Sequence, residues 1–207
     1  MDSVENAVAE LKKGNFILVY DGDDREGEAD LIIPAKFVTP KKVETMRKDG
    51  GGLICAAINQ NRADEIGLPF FTDLLDKNKL NKMRCKKTAY GDKPAFSIPI
   101  NYCGVYTGIT DNDRALTLTK LDDTITKNIT KFKKEFYTPG HIFLLIGRGL
   151  VNRRGHTELA LELGRRANFE VMVLCEVLGK GNALSKIKVK NYAKKNGLEF
   201  IEGKDVK

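Results

Sequence analysis

Phe16–Pro34 reads FILVYDGDDREGEADLIIP, two apolar runs on either side of an acidic segment. Phe16 to Tyr20 and Leu31 to Ile33 are of strand length and suit the interior of a sheet. Pro34 punctuates the second run. Upstream, Val4 to Lys13 places Val4, Ala7, Val8 and Leu11 on one helical face, and Gly14 ends it. Downstream the alternation continues. Thr39-Pro40 opens a helix through Lys48, Gly50-Gly51-Gly52 breaks the chain, and Leu53 to Ile58 reads as a buried strand. Phe96 to Tyr102, Ile142 to Ile146 and Val171 to Leu178 are further strands. Asp111 to Lys134 is helical in pieces, with a break near Leu121 to Asp123. Thr157 to Asn168 carries Leu159, Leu163 and Ala167 at helical spacing, and Ser185 to Lys195 is a last helix ended by Gly197. Asp73 to Lys93, polar and lysine-rich, reads as a long loop. Helices and strands alternate without a repeat or a linker. The pattern predicts one α/β (α+β) domain over residues 1–207, a layered sandwich with a mixed sheet covered by helices.

The bulk properties narrow the function. The chain has 207 residues, 42% hydrophobic and 30% charged, as a soluble globular protein does. No stretch approaches the ~20 apolar residues of a membrane-spanning helix, and the N-terminus has no apolar leader. These features predict a cytoplasmic enzyme or binding protein, with no membrane association. Cys55, Cys85, Cys103 and Cys175 include no CxxC pair, so neither a zinc finger nor a thioredoxin motif is indicated, and sparse thiols suit a reducing compartment. The net charge of +7 is spread along the chain. It fits a solvated basic surface, a phosphorylated metabolite or nucleic acid. A nucleic-acid reading has only that charge behind it, because no aromatic-basic stacking motif or base-reading helix stands out. The absence of GxGxxG and GxxxxGK[ST] excludes the common nucleotide-binding loops.

Chemistry concentrates at a few places. Asp21 to Asp30 holds six carboxylates in ten residues. Hard cations such as Mg²⁺ want oxygen ligands. If the end of the segment is extended, Glu26, Glu28 and Asp30 project to one side, so one can ligate metal while another takes a proton. A solvated acidic turn is the plain alternative. Arg25 can pair with a carboxylate or with substrate, and the small Gly27 and Ala29 let a ligand approach. Arg153-Arg154-Gly155-His156-Thr157-Glu158 precedes a helix, whose free N–H groups suit a phosphate. There His156 can ligate metal and Thr157 can cap the helix or meet a phosphate oxygen. Glu176 interrupts an apolar strand, the setting of a carboxylate with a raised pKa. Cys55 reads as a small core residue. His141 sits in a Thr138-Pro139-Gly140-His141 turn, where a structural hydrogen bond is the ordinary role. Thr107 to Arg114 either holds phosphate or caps the next helix.

Taken together these segments resemble the 3,4-dihydroxy-2-butanone 4-phosphate synthase family of riboflavin biosynthesis, from about Val4 to about Ile201. Asp24 to Leu31 is similar to the family's DRExExDL segment, and Thr107 to Thr110 with Asp113-Arg114-Ala115 to its TGIxxxDRA segment. Pro139-Gly140-His141 is similar to its PGH turn, and Arg154 to Glu158 with Cys175-Glu176 to its RGHTE and CE elements. The resemblance implies conversion of D-ribulose 5-phosphate to 3,4-dihydroxy-2-butanone 4-phosphate and formate with Mg²⁺ or Mn²⁺. It implies Glu26 and His156 as metal ligands. His141 and Glu176 would be an essential catalytic pair, with Asp30 or Glu28 near the proton transfers. Arg25, Glu26, Asp30, Cys55, Thr88, Thr107, Glu176 and the turn Arg153-Arg154-Gly155-His156-Thr157 would surround substrate. It further implies a homodimer with sites at the interface, and a chain without the GTP cyclohydrolase II domain fused to many bacterial members. The Asp73 to Lys93 segment is similar to archaeal members. Another Mg²⁺-dependent pentose-phosphate isomerase or aldolase is the rival within the enzyme class.

Overall fold

The computed structural model describes residues 3–83, 88 and 90–207, so Cys85 and part of the long polar segment lie outside the described residues. Seven strands form one sheet: β1 (Ile17–Tyr20), β2 (Ala29–Pro34), β3 (Cys55–Asn59), β4 (Phe96–Tyr102), β5 (Phe136–Gly147), β6 (Met172–Glu176) and β7 (Glu199–Glu202). Their order is β4-β5-β3-β6-β2-β1-β7. The β3–β5 and β1–β7 pairs are parallel and the other pairs antiparallel, so the sheet is mixed as expected. The helices are α1 (Ser3–Lys12), α2 (Pro40–Thr45), α3 (Gln60–Ile66), α4 (Phe71–Lys77), α5 (Asp111–Lys127), α6 (Phe132–Glu135), α7 (His156–Ala167) and α8 (Lys186–Asn196).

Strand periodicity divides the core into layers. Ile33, Ala56, Ile58, Val173 and Cys175 point to one face and pack with α2 and α5 through Val43, Leu118, Leu121 and Ile125. Ile17, Val19, Ile32, Cys55, Ala57, Met172 and Leu174 point to the other, against α1 and α7 through Ala7, Leu11, Leu159 and Leu163. A third cluster seats α8 on β1 and β2 through Val189 and Ala193. Local chemistry sets the helix starts. Thr39 caps α2 by accepting from the Lys42 N–H, with Pro40 at the first position, and Thr110 caps α5 by accepting from the Asp113 N–H.

Two expectations need correction, and two elements went unread. α5 is unbroken through Leu121 to Asp123, because Leu118, Leu121 and Ile125 are all buried on one face; the helix ends at Asn128 instead. Part of the expected long loop is helical, as α4, which buries none of its residues and so shows no apolar period. α3 is too short for a period to register. β7, with only Ile201 fully buried, reads as polar.

Candidate active site

On the face covered by α1 and α7, the cover ends where α7 begins, and the sheet there lies open. A cavity of about 250 Å³ occupies this gap. Its floor is Asp30 of β2, Cys55 of β3, Leu145 of β5, and Leu174 and Glu176 of β6. Glu26, Thr88, Tyr90, Arg153, His156 and Thr157 form its walls. Sheet register brings the two floor acids together: Asp30 pairs directly with Glu176 across the antiparallel β2–β6 ladder.

The acidic segment is held by its own first residue. The buried Asp21 carboxylate accepts from the N–H groups of Gly22, Glu26 and Glu28 and from Arg25 Nε. Asp21, Glu26 and His156 could hold a metal ion on distance alone, with ligand atoms within 4.8 Å of one another. Each Asp21 oxygen, however, already accepts two hydrogen bonds, so Asp21 builds the loop. Glu26 faces the cavity, with Oε2 3.5 Å from His156 Nδ1. The other ring nitrogen, Nε2, is 3.2 Å from the Glu28 carbonyl and 3.8 Å from Asp30 Oδ1.

These contacts set the electrostatics. Burial disfavours a charged His156, but Asp30, Glu26 and Asp21 outweigh it and raise its pKa to about 10. For Asp30, burial wins over the pull of His156, and Glu176, Glu26 and Glu28 add to it, raising the pKa to about 7. Glu26 is also opposed by burial, yet His156, the Tyr90 hydroxyl and Arg153 hold it down at about 2. Burial and Glu26 raise Glu28. Asp30 Oδ1 and Glu176 Oε2 are buried without a hydrogen-bond partner, an arrangement that favours a cation or a shared proton. Burial, then Glu176 and Asp30, push the Cys55 thiol well up, so it is wall and not nucleophile.

Two arginines supply positive charge. Arg153 donates to the buried Glu158 at 2.6 Å and lies 3.8 Å from Glu26. Gly155 permits this fold-back, since a Cβ there would sit 2.2 Å from the Arg153 guanidinium. Asp92 bridges Arg153 Nε at 3.5 Å and Arg25 Nη1 at 2.8 Å, and the Arg25 guanidinium lies over the Tyr90 ring. Thr88 donates to the Asp92 carbonyl.

The expected residues thus divide. Arg25, Glu26, Glu28, Asp30, Cys55, Thr88, Arg153, Gly155, His156, Thr157 and Glu176 come together in or around the cavity. Arg154 does not: its guanidinium donates to the Gly203 and Val206 carbonyls and faces a separate cleft beside Lys186 and Glu202, which Arg25 also lines, Arg25 reaching the cavity wall only through Asp92 and Tyr90. Thr107 does not either, because its N–H and hydroxyl are bound to Asp113. The neighbouring Arg153 and Thr157 had the same sequence cues as Arg154, and only the direction of the turn separates them. His141 is exposed and lines no part of the cavity, although it shares a β5 face with Phe143 and Leu145. At strand rise it lies about 13 Å from Leu145. Tyr90, Asp92, Glu158 and Gly52 escaped sequence reasoning as site residues. Gly52 was legible only as a chain break, yet a Cβ there would lie 2.2 Å from Glu176 Oε2.

The profile of the family described as 3,4-dihydroxy-2-butanone 4-phosphate synthase matches residues 5–207. A protein of that name from Methanosarcina acetivorans is 40% identical, covering 99% of this chain and 90% of its own length. One from Archaeoglobus fulgidus is 39% identical over 98% of this chain and 91% of its own length. A crystal structure of a 3,4-dihydroxy-2-butanone 4-phosphate synthase in complex with two magnesium ions superposes with a TM-score of 0.82 at 28% identity, covering 99% of this chain and 94% of that one.

Proposed function

The chain belongs to the 3,4-dihydroxy-2-butanone 4-phosphate synthase family, and from that premise we propose that it converts D-ribulose 5-phosphate to L-3,4-dihydroxy-2-butanone 4-phosphate and formate in riboflavin biosynthesis. The observation that carries this reading is the pairing of Asp30 with Glu176 on the cavity floor, each with a buried unpartnered oxygen, opposite Glu26 and His156. We read residues 1–207 as one synthase domain.

The donor set fits Mg²⁺ or Mn²⁺: the Glu26 carboxylate and one His156 imidazole nitrogen, with the unpartnered Asp30 and Glu176 oxygens across the cavity. Glu26 and His156 would hold the ion, which supplies Lewis-acid polarisation of the substrate's ketone and hydroxyl oxygens. Arg153 and Arg25 would receive the anionic sugar phosphate, with Thr157 and Thr88 beside it. Asp30, whose pKa burial raises toward neutrality in the metal-free chain, is the natural base for C3, giving an enediol. Glu28 and Glu176 stand next to it for the later transfers, in which water leaves C1, the skeleton rearranges and C4 departs as formate.

We assign His141 to a neighbouring subunit's site. An apolar groove of about 650 Å³ lined by Phe71, Leu75, Phe96, Ile98 and Phe143 adjoins the cavity, sharing Phe96. Thr138 and Pro139, shortly before His141 in β5, line the same groove, so a second copy seated there in a homodimer would lie beside the His141 turn. Mixing an Asp30→Ala chain with a His141→Ala chain tests this, since recovered activity in mixed dimers requires shared sites. No helix among the described residues is long and apolar enough to cross a membrane. The described cysteines are free, which supports a cytoplasmic location.

The deciding experiment is ¹³C NMR of D-ribulose 5-phosphate with the purified protein and Mg²⁺, against an EDTA control. Formate with a new methyl ketone, both lost with EDTA, is the expected result. Turnover without formate would move the assignment to an isomerase or aldolase, and no turnover in folded protein would sink it.

A further inference from the structure

We infer that Asn101 is a positioning residue for His141, holding the imidazole in both of its protonation states and leaving Nε2 as the atom that exchanges a proton. This deepens the reading of His141 as a participant in the reaction and rests on it.

Asn101 lies on β4, 2% exposed, beside the β5 segment that carries His141. The His141 backbone N–H donates to Asn101 Oδ1 at 2.9 Å. A backbone N–H is a donor only, so this bond fixes which end of the carboxamide is oxygen. Asn101 Nδ2 then donates to the Tyr137 hydroxyl at 3.0 Å and lies 3.2 Å from His141 Nδ1. Asn101 Oδ1 lies almost as near Nδ1, at 3.3 Å, but it already accepts the His141 N–H, whereas the second Nδ2 hydrogen meets Nδ1; in the neutral ring Nδ1 is therefore the acceptor, and the ring proton sits on Nε2. When the ring gains a second proton, Nδ1–H finds Asn101 Oδ1 at 3.3 Å. The amide therefore serves either state without moving the ring. A carboxylate in its place could only accept.

The amide is itself held from behind. A Cβ on Gly108 would lie 2.0 Å from Asn101 Nδ2, so the backbone of the Thr107–Gly108 turn is pressed against the carboxamide. Asp113 fixes that turn, accepting from the N–H groups of Tyr106, Thr107 and Gly108 at 3.4, 3.2 and 2.9 Å. The Thr107 to Ala115 segment thereby gains a role at a distance from the cavity: Asp113 holds the turn, the turn holds Asn101, and Asn101 holds His141.

Ring ¹⁵N NMR tests this directly, because the chain has two histidines and His141→Gln assigns the signals. The neutral ring of His141 should carry its proton on Nε2 in the native protein and on Nδ1 in Asn101→Asp. In Asn101→Ala it should sample both. Gly108→Ala, which keeps Asn101 but drives a methyl at its amide, should also lose the fixed tautomer and serves if Asn101→Asp does not fold. In Asn101→Ala kcat should fall roughly tenfold or more, a part of the 10²–10⁴ that a placed acid–base group contributes, with KM within about twofold. An unchanged tautomer in the folded Asn101 variants would overturn the assignment. Full turnover by His141→Ala would overturn the catalytic reading beneath it, whatever the tautomer does.

Discussion

Glu176 keeps its place because Gly52 has no side chain. An added Cβ would meet the Glu176 carboxylate at 2.2 Å and its Cβ at 2.7 Å. Gly52→Ala should therefore cost about 1–3 kcal/mol from overpacking and lower kcat at least tenfold, because the displaced group is an acid of the cavity floor. Chemical denaturation beside steady-state kinetics checks both. A folded variant with native kcat would remove Glu176 from the chemistry. Glu26→Gln should weaken Mg²⁺ by more than the roughly 10–100-fold that a mere supporting partner contributes, measured by calorimetry. His156 adds a pH dependence. Its pKa rises from 6.5 to about 10 on folding in the absence of metal. A raised folded pKa means stability fully present below 6.5 and lost as pH climbs through about 10. Asp30, raised from 3.8 to about 7, acts in the same direction across its own interval. A metal must displace the His156 proton, so Mg²⁺ affinity should rise from pH 6.5 to pH 9 with proton release on binding. Affinity that is flat across this range would exclude His156 as a ligand.

Among the elements, β4 and β5 approach so closely at Gly140 that a Cβ there would lie 2.0 Å from the Ile100 carbonyl carbon. Backbone cannot step aside as a side chain can. Gly140→Ala should therefore destabilise by about 2 kcal/mol or more, read as a lower urea midpoint with an unchanged slope. A change within about 0.5 kcal/mol would mean that the edge strand yields. β1, β2, β3 and β6 were legible because strands covered on both faces are continuous apolar runs. α1 and α7 were legible because each buries one stripe. β7, α3 and α4 bury too little to leave a pattern, and the contacts that stabilise them come from residues far away in sequence. The expected break in α5 falls on Asp122 and Asp123. Asp122 is in fact buried, and that burial raises its pKa to about 6. An isolated charge pair is a poor marker of a helix end when the apolar stripe runs on beneath it.

For the molecule as a whole, Mg²⁺ binding to the folded state alone should stabilise it by about 2.7 kcal/mol at a hundredfold excess over Kd. For a chain of this size that is a rise in Tm of roughly 5–10 °C; at one fixed Mg²⁺ concentration the rise should be larger at pH 8 than at pH 6.5, and differential scanning fluorimetry with Ca²⁺ and EDTA controls would measure it. The acid and histidine members of the site were legible because their types are costly where they occur. Tyr90 and Asp92 were not, since a polar loop gives no sign of which side chains turn inward, and the misplacement of Arg154 turned on one backbone direction. The pairing of β2 with β6 has a further consequence in time. A ribosome releases the acidic segment long before it makes β6. Until then Asp30 is an ordinary hydrated carboxylate, with no neighbour to crowd it. The arrival of β6 gives it, in one event, a second acid and a dry surrounding. The docking of β6 should thus be marked by proton uptake, and a cavity floor with both acids must wait for it.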